Sequence, residues 1–334
     1  MRRREFIIAL GGIAVWPLAA LAQQAASRIV GVLDIGSLEG ARRNFGQAQP
    51  RLAEMGYVEG RNLALEYRGA DSHEDRLAAL AADLVQRRVD IIAVFAGPSI
   101  VAAKAATTSI PIIFLTGYDP VASGFVASLN RPGGNVTGIS VLNTQVITKR
   151  LQVLCELVPT ARSIGFLYIP TSLVPGYDRA LKDLELAADA LGVKLRLVEA
   201  RGPDDFEGAF ATMASARSDA ILLSADSLVI RNRERLVGLA AQHNIPAAYP
   251  IREFAAAGGL LSYGPNYAEA CRQVGDYVGR VLNGEKPENL PVQQVTKLEP
   301  VINMRTAKAL GAGPVPQQVP VMFPVFQAPN GLQS

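Results

Sequence analysis

The sequence predicts an α/β fold of two similar lobes, each built from a parallel sheet covered by helices. Two observations predict it. Apolar runs of about five to seven residues alternate with longer segments of helical period, the pattern of parallel strands joined by crossover helices. The order of elements in the first half of the 334-residue chain also returns in the second half. Each half is therefore expected to form one βαβαβα unit.

Ten segments fit strands, because they are short, apolar and bounded by turn residues or by helical segments. In chain order they span residues 28–34, 63–68, 90–96, 110–116, 136–140, 163–169, 193–199, 219–225, 245–250 and 259–263. Helical segments fill most of the gaps between these strands. Pro50 interrupts one of them, so we expect that helix to begin late or to kink at the proline.

The two halves correspond element by element. RIVGVLDIG at 28–36 matches SIGFLYIP at 163–170, and DIIAVFAGPS at 90–99 matches DAILLSADS at 219–227. In an open parallel sheet, the loops that bind ligands lie at the carboxyl ends of the strands. We therefore expect both halves to present equivalent loops to one cleft between the lobes.

The chain is expected to cross between the lobes three times, which would form a hinge of three segments. The crossings are placed near residues 140–145, 262–265 and 291–297. The N-terminal lobe then comprises residues 28–142 and 265–290. The C-terminal lobe comprises residues 143–264 and 291–334.

Residues 1–22 have the features of an export signal. The segment has a basic start, an apolar run and a small-residue cleavage site at Ala20-Leu21-Ala22. The apolar run is shorter than the roughly 20 residues that span a membrane. We therefore predict cleavage near Ala22 and a periplasmic location. Arg3-Arg4 fits the twin-arginine export pattern, with an ordinary Sec signal or an uncleaved anchor as the alternatives.

The charge balance gives no support to a nucleic-acid partner. The whole chain has 33 basic and 30 acidic residues, a formal net charge of +3. Without residues 1–22 the balance falls to 30 basic against 29 acidic residues. A protein that binds nucleic acid through its surface charge has a clear basic excess. The only tryptophan, Trp16, lies within the export signal.

Signatures of catalysis and of metal binding are absent from the sequence. No GxxxxGK[ST] loop, no GxSxG turn and no GxGxxG after a strand occurs. Two histidines, His73 and His243, do not suffice for a histidine-rich metal site, and both are expected at the surface. Cys155 and Cys271 lie too far apart for a metal-binding motif, so we expect two buried thiols, with a disulfide as the alternative. No cofactor and no metal are predicted.

Polar or aromatic residues recur just after strand ends in both halves, where they would face the cleft. In the first half they are Ser37, the turn residues Gly97 and Ser99, Thr116 and Asp119. In the second half they are Tyr168, Ser224, Asp226, Tyr249 and Tyr263. The alternative for each residue is an ordinary helix cap, a turn or a core position.

Three ligand contacts are expected from this set. Backbone N–H groups at the corner formed by Gly97, Pro98 and Ser99 would hold a carboxylate, since a helix begins there. Asp119 or Asp226 would hold an ammonium group. The tyrosines would contact an apolar or aromatic body.

Several segments resemble the ABC-transporter substrate-binding protein family, in its TrpX-like group of tryptophan and tyrosine binders. They include LAEMGYVEGRNLALEYR, DPVASGFVASLNRPGGNVTGIS and GGLLSYGP. The resemblance implies a type I periplasmic-binding-protein fold with two Rossmann-like lobes and three hinge crossings. It also implies that the Ala96–Ser99 loop and the Asp119-Pro120 pair lie in the site. The chain departs from the family at Ile169-Pro170, where the usual sequence is Asn-Pro.

Together these features predict an exported, monomeric solute receptor with no enzymatic activity. It would close over an aromatic amino acid, or a related aromatic or branched acid, and deliver it to a permease with its ATPase partner. One alternative is a periplasmic module that senses the same ligand for a receptor. Another is a periplasmic α/β enzyme that uses Asp119 and Asp226 as acid and base.

Overall fold

The computed structural model describes residues 27–141, 143–171, 174–175 and 177–312. The predicted export signal therefore lies outside the described residues. All ten predicted strands are present, and two further strands follow them near the C-terminus. None of the helices in the described part of the chain has the length and apolar character of a membrane span.

The first sheet has six strands, all parallel, in the order β11-β5-β4-β3-β1-β2. Its strands are β1 (Arg28–Asp34), β2 (Leu63–Gly69), β3 (Ile91–Phe95), β4 (Ile112–Thr116), β5 (Val136–Ser140) and β11 (Gln293–Gln294). Its helices are α1 (Leu38–Gly46), α2 (Gln49–Glu54), α3 (Leu77–Gln86), α4 (Gly97–Ala106) and α11 (Tyr267–Leu282).

The second sheet also has six strands, in the order β12-β10-β9-β8-β6-β7, and only β12 is antiparallel to its neighbour. Its strands are β6 (Ser163–Tyr168), β7 (Lys194–Glu199), β8 (Ala220–Leu223), β9 (Ala247–Tyr249), β10 (Leu261–Pro265) and β12 (Leu298–Ile302). The helices in this part of the chain are α5 (Asn143–Leu157), α6 (Tyr177–Ala190), α7 (Asp205–Ser215), α8 (Ser227–Arg231), α9 (Arg233–Gln242), α10 (Arg252–Ala256) and α12 (Met304–Ala309).

The two sheets repeat one strand order. Strands β5-β4-β3-β1-β2 of the first sheet correspond to β10-β9-β8-β6-β7 of the second. The C-terminal part of the chain then adds β11 beside β5 and β12 beside β10. The fold class predicted from the sequence, two Rossmann-like lobes of parallel strands and helices, is confirmed. Equivalent strand ends in the two lobes are thus placed to serve one site.

Helix α11 shows how the sequence directs the chain back to the first sheet after β10. Asn266 caps the helix, because its side chain accepts a hydrogen bond of 2.9 Å from the Glu269 N–H. Ala270, Val274 and Val278 follow at helical spacing, and all three are fully buried in the core that covers the first sheet. The start of this helix leaves Tyr267 at the boundary between the lobes, where it contributes to the cavity described below.

The break predicted at Pro50 is present. Helix α1 ends at Gly46, and α2 begins at Gln49 with the proline in its first turn. A proline is tolerated there because the first N–H groups of a helix have no partner within the helix.

The two cysteines are free thiols, so the disulfide alternative does not hold. Cys271 is buried, as predicted, and burial raises the pKa of its thiol. The prediction of a buried Cys155 is wrong, because this residue on α5 is only partly buried.

Candidate ligand-binding site

A cavity of about 310 Å³ lies between the two lobes, at the carboxyl ends of their strands. The first lobe contributes residues that follow β3 and β4 and a loop after β2. The second lobe contributes residues that follow β6 and β8, together with side chains from α5 and α6. This volume is in the lower part of the range for small-molecule sites, roughly 300–1,000 Å³.

Two tyrosines from opposite lobes meet in the wall of the cavity. Tyr118 follows β4, and Tyr177 begins α6; their ring centroids are 6.2 Å apart with the planes tilted by 57°. The Tyr177 hydroxyl donates a hydrogen bond of 2.8 Å to the Ile169 carbonyl, which fixes the ring. Burial raises the pKa of both phenols, so both rings stay neutral at physiological pH. The pair forms an apolar wall suited to a flat ligand body.

Arg150 on α5 brings an uncompensated positive charge to the cavity. Its side chain is fully buried, with Nε donating to the Tyr263 carbonyl at 2.8 Å and Nη1 donating to the Leu223 carbonyl at 3.1 Å. Nη2 has no hydrogen-bond partner among the described residues. Burial alone lowers the pKa of the guanidinium, to about 9, so the group stays charged at neutral pH. A buried charge without a counterion is costly, and an anionic ligand would remove that cost.

Ser224 lies next to Leu223, the residue whose carbonyl anchors Arg150, and it also lines the cavity. Its hydroxyl is buried and has no hydrogen-bond partner in the described structure. A free hydroxyl and a free guanidinium nitrogen beside one cavity are the donors that a carboxylate needs.

Two carboxylates from opposite lobes border the same cavity. Asp226 precedes α8 in the second lobe, and Glu74 begins a short 3₁₀ helix after β2 in the first lobe. The pKa of Asp226 is raised to about 7, first by burial and then by the negative charge of Glu74, while Arg231 opposes the shift. A buried carboxyl whose pKa is raised by a second carboxylate at the same cavity forms a site that a cation would stabilise.

The family model described as ABC transporter substrate binding protein matches residues 30–317. The chain belongs to this family. Members of the family bind small ligands and work with ABC transporter components; they are solute-binding proteins rather than enzymes. The family resemblance inferred from the sequence segments is therefore confirmed.

Individual relatives cover most of this substrate-binding protein. A tyrosine-binding protein from Clostridioides difficile (strain R20291) is 28% identical over 282 residues, which are 82% of this chain and 77% of that protein. A conserved domain protein from Vibrio cholerae is 29% identical, with a TM-score of 0.78 over 87% of this chain and 96% of that chain. An ABC domain from Streptococcus pneumonia in complex with L-Trp is 24% identical, with a TM-score of 0.77 over 88% and 97% of the two chains. The last likeness is one of fold.

Four of the residues selected from the sequence line the cavity of this substrate-binding protein: Ala96, Thr116, Ser224 and Asp226. Ala96 has φ = +77° and ψ = 152°, a backbone conformation that only glycine adopts without strain. The buried Thr116 hydroxyl accepts a hydrogen bond of 3.1 Å from the Tyr118 N–H. Thr116 therefore orients the loop that carries one of the two wall tyrosines.

Three selected residues near the cavity contribute to it indirectly. Gly97 packs so closely that an added Cβ would lie 2.7 Å from both the Tyr118 ring and the Val174 side chain. The Ser99 hydroxyl, which follows the lining residue Pro98 in the chain, is buried and has no hydrogen-bond partner in the described structure. Tyr263 presents its backbone carbonyl to Arg150 rather than its ring to the cavity.

The other four selected residues lie outside the cavity lining. Ser37 caps α1 by accepting a hydrogen bond from the Gly40 N–H, and Tyr168 stacks on Phe166 with ring centroids 5.7 Å apart. Tyr249 is buried in the core of the second lobe, against Phe254. The exposed carboxylate of Asp119 accepts hydrogen bonds of 2.9 and 3.0 Å from the N–H groups of Val121 and Ala122. Asp119 and Asp226 therefore do not share the cavity as an acid and base would.

Among the residues that line the cavity, sequence reasoning missed Glu74, Arg150, Tyr177 and Arg231. Tyr118 lies in the loop after β4, which the sequence placed at the cleft. One signal for Arg150 was present in the sequence. Val146, Arg150, Leu154 and Leu157 recur at helical spacing, and all four are buried. A charged residue in the apolar stripe of a helix points to a buried charge with a specific partner.

Proposed function

We propose that this protein is the solute-binding component of an ABC importer and that its ligand is an aromatic α-amino acid. The observation that carries the proposal is the pairing of opposite unbalanced charges at one cavity. Arg150 offers a positive group without an acidic partner, while Asp226 and Glu74 offer two carboxylates. An α-amino acid carries the complementary carboxylate and ammonium on one carbon.

The ligand's two charged groups would bind to different parts of the cavity. Its carboxylate would accept hydrogen bonds from Arg150 Nη2 and from the Ser224 hydroxyl, two buried donors that have no hydrogen-bond partner among the described residues. Its ammonium would lie between Asp226 and Glu74, where it would neutralise the repulsion between them. We place the carboxylate at Arg150 rather than at the Gly97–Ser99 corner, since Gly97 and Ser99 do not line the cavity.

The ligand's side chain would occupy the apolar part of the cavity beside Tyr118 and Tyr177, whose rings come from opposite lobes. An aromatic ring gains both buried area and ring-to-ring contact there. Two relatives support this choice, the tyrosine-binding protein of Clostridioides difficile and the Streptococcus structure in complex with L-Trp.

Transport would follow from the two-lobed architecture. Closure around the ligand buries it and creates a form that a membrane permease can distinguish from the open one. We propose that residues 1–22 direct export to the periplasm and are removed near Ala22. The monomeric mature protein would then deliver its ligand to a permease and its ATPase partner.

Isothermal titration calorimetry on mature protein, residues 23–334, tests the ligand class. The ligands are L-tyrosine, L-tryptophan and tyramine, which lacks the carboxylate. We expect both amino acids to bind, and Arg150→Met to weaken L-tyrosine binding by about 100-fold or more, because a charge-assisted contact is lost. Tyramine affinity would change little, since tyramine has no group for Arg150.

Arg235→Met is the matched control, because Arg235 lies on α9 and pairs with Glu207 at the surface. It should leave binding of both ligands unchanged. Failure of all amino acids to bind the wild-type protein would refute the proposed function. Unchanged L-tyrosine affinity in Arg150→Met would refute the role given to Arg150.

A further inference from the structure

Arg231 reaches from the second lobe into the first. It is the last residue of α8, and its Nη2 donates a hydrogen bond of 2.9 Å to the Ser72 hydroxyl. Ser72 lies in the loop after β2 of the first sheet. The contact therefore joins two structural units that part when the lobes open.

Gly36 provides the space for the tip of the arginine. A Cβ added to Gly36 would lie 1.7 Å from Arg231 Nη1 and 3.0 Å from its Cζ, so any larger residue would displace the guanidinium. The guanidinium of Arg231 thus occupies space that a side chain at position 36 would fill, although Gly36 is not part of the cavity lining.

Charges from both lobes act on this guanidinium. Burial has the largest influence and lowers the pKa of the guanidinium, and Arg43 acts in the same direction. Asp34, Asp71 and Asp226 favour the charged form, but the pKa is lowered overall. Arg150 has no comparable acidic neighbours among the described residues. Nearby acids therefore compensate the charge of Arg231, whose Nη2 is bonded to Ser72 and whose Nη1 has no hydrogen-bond partner among the described residues, whereas no acid among those residues acts on Arg150.

The bridge connects the segments that carry the two cavity acids. Ser72 is close in sequence to Glu74, and Arg231 ends the short helix α8 that Asp226 precedes. Holding Ser72 against Arg231 therefore holds Glu74 and Asp226 on opposite sides of one cavity. Without this bridge, repulsion between the two carboxylates would favour separation of the lobes.

We infer that Arg231 is a positioning residue that assembles a two-carboxylate ammonium site from both lobes when they close. This inference rests on the proposed amino-acid ligand. Arg231 acts through Ser72 and the acids and not by binding the ligand's carboxylate. It thereby determines how strongly the protein prefers a ligand with an amino group over the same acid without one.

The test compares L-tyrosine with 3-(4-hydroxyphenyl)propanoate, which lacks only the amino group, by calorimetry at one pH. The variants are Arg231→Gln and Gly36→Ala, with Gly46→Ala as the control because a Cβ there meets nothing within 4 Å. We expect the ratio of the two affinities to fall about tenfold or more in both test variants. Affinity for the des-amino acid should stay within about threefold, and Gly46→Ala should match wild type.

A double variant separates a local clash from general damage. In an Arg231→Ala background, adding Gly36→Ala should have little further effect, because the guanidinium atoms that the new Cβ would meet are gone and only Asp34 Oδ1, at 3.0 Å, remains close. An unchanged ratio in both single variants would overturn the inference and leave the proposed function intact. An equal loss of both ligands would also overturn it, since it would place Arg231 on the carboxylate or in general stability. Failure of the wild-type protein to bind L-tyrosine would instead refute the proposed function, and the inference with it.

Discussion

Asp226 shows how one residue of the cavity depends on its surroundings. Burial and Glu74 raise its pKa to about 7, and Arg231, at the end of the short helix that Asp226 precedes, limits the rise. The pKa of the wall phenols Tyr118 and Tyr177 is raised mainly by burial, and the charge of Asp226 raises it further. The Asp226 carboxyl therefore exchanges its proton near physiological pH.

A pH dependence of binding follows from this pKa. A ligand ammonium favours ionised Asp226, so below pH 7 the complex holds about one proton fewer than the free protein. Affinity for L-tyrosine should therefore rise by up to tenfold per pH unit towards pH 7 and level off just above it. Calorimetry between pH 5.5 and 8 measures this profile and the proton released.

Two variants assign the pH dependence. Asp226→Asn should bind L-tyrosine weakly and with a nearly flat profile below pH 7, because the titrating group is gone. Asp119→Asn should follow the wild-type profile, since Asp119 caps an exposed turn. A flat wild-type profile, or an unchanged slope in Asp226→Asn, would be incompatible with the role given to Asp226.

Single residues divide into those that sequence reasoning could place and those that it could not. Ser224 and Asp226 follow a strand directly, so the rule for open sheets places them at the cavity. The same rule selected Asp119 and Tyr249, but local hydrogen bonds turn Asp119 into a cap and core packing buries Tyr249. Arg150 lies inside a helix, and its partners are carbonyls of β8 and β10, far away in sequence.

At the scale of elements, the corner between β3 and α4 holds a strained alanine. Ala96 has φ = +77°, and the residue after it begins a helix that packs beneath Tyr118 and Val174. Such a conformation costs a non-glycine residue about 1–3 kcal/mol. The surrounding packing maintains it at the edge of the cavity.

Relief of this strain gives a stability prediction. Ala96→Gly should raise the free energy of unfolding by about 1 kcal/mol, because the strain removed exceeds the entropy cost of a new glycine. Ala93→Gly, in the interior of β3, is the matched control and should lower it by about 1 kcal/mol or more. Urea denaturation of the ligand-free protein measures both. A loss of stability in Ala96→Gly equal to that in Ala93→Gly would show that the corner is unstrained.

Strands were the easiest elements to predict, since buried parallel strands are continuous apolar runs between turn signals. Strand β11 was not predictable from the sequence. It consists of two exposed glutamines that lie beside β5, a pairing set by the path of the chain after α11. Strand β12 is the corresponding edge strand of the second sheet. Its last residues are apolar and buried, and it pairs with β10 in the antiparallel direction.

At the scale of the whole molecule, the duplicated strand order places two sets of strand ends around one cavity. Contacts across the cavity join the lobes at Tyr118 with Tyr177 and at Arg231 with Ser72. Each lobe also supplies one of the two acids, Glu74 and Asp226. The proposed ligand contacts therefore come from both lobes.

A crystal structure of the mature protein grown with L-tyrosine tests this account most directly. The predicted result places the ligand carboxylate within about 2.7–3.2 Å of Arg150 Nη2. The ammonium would lie between Asp226 and Glu74, and the ring beside Tyr118 and Tyr177. A carboxylate bound at the Gly97–Ser99 corner, or a ligand that leaves Arg150 without a partner, would contradict it.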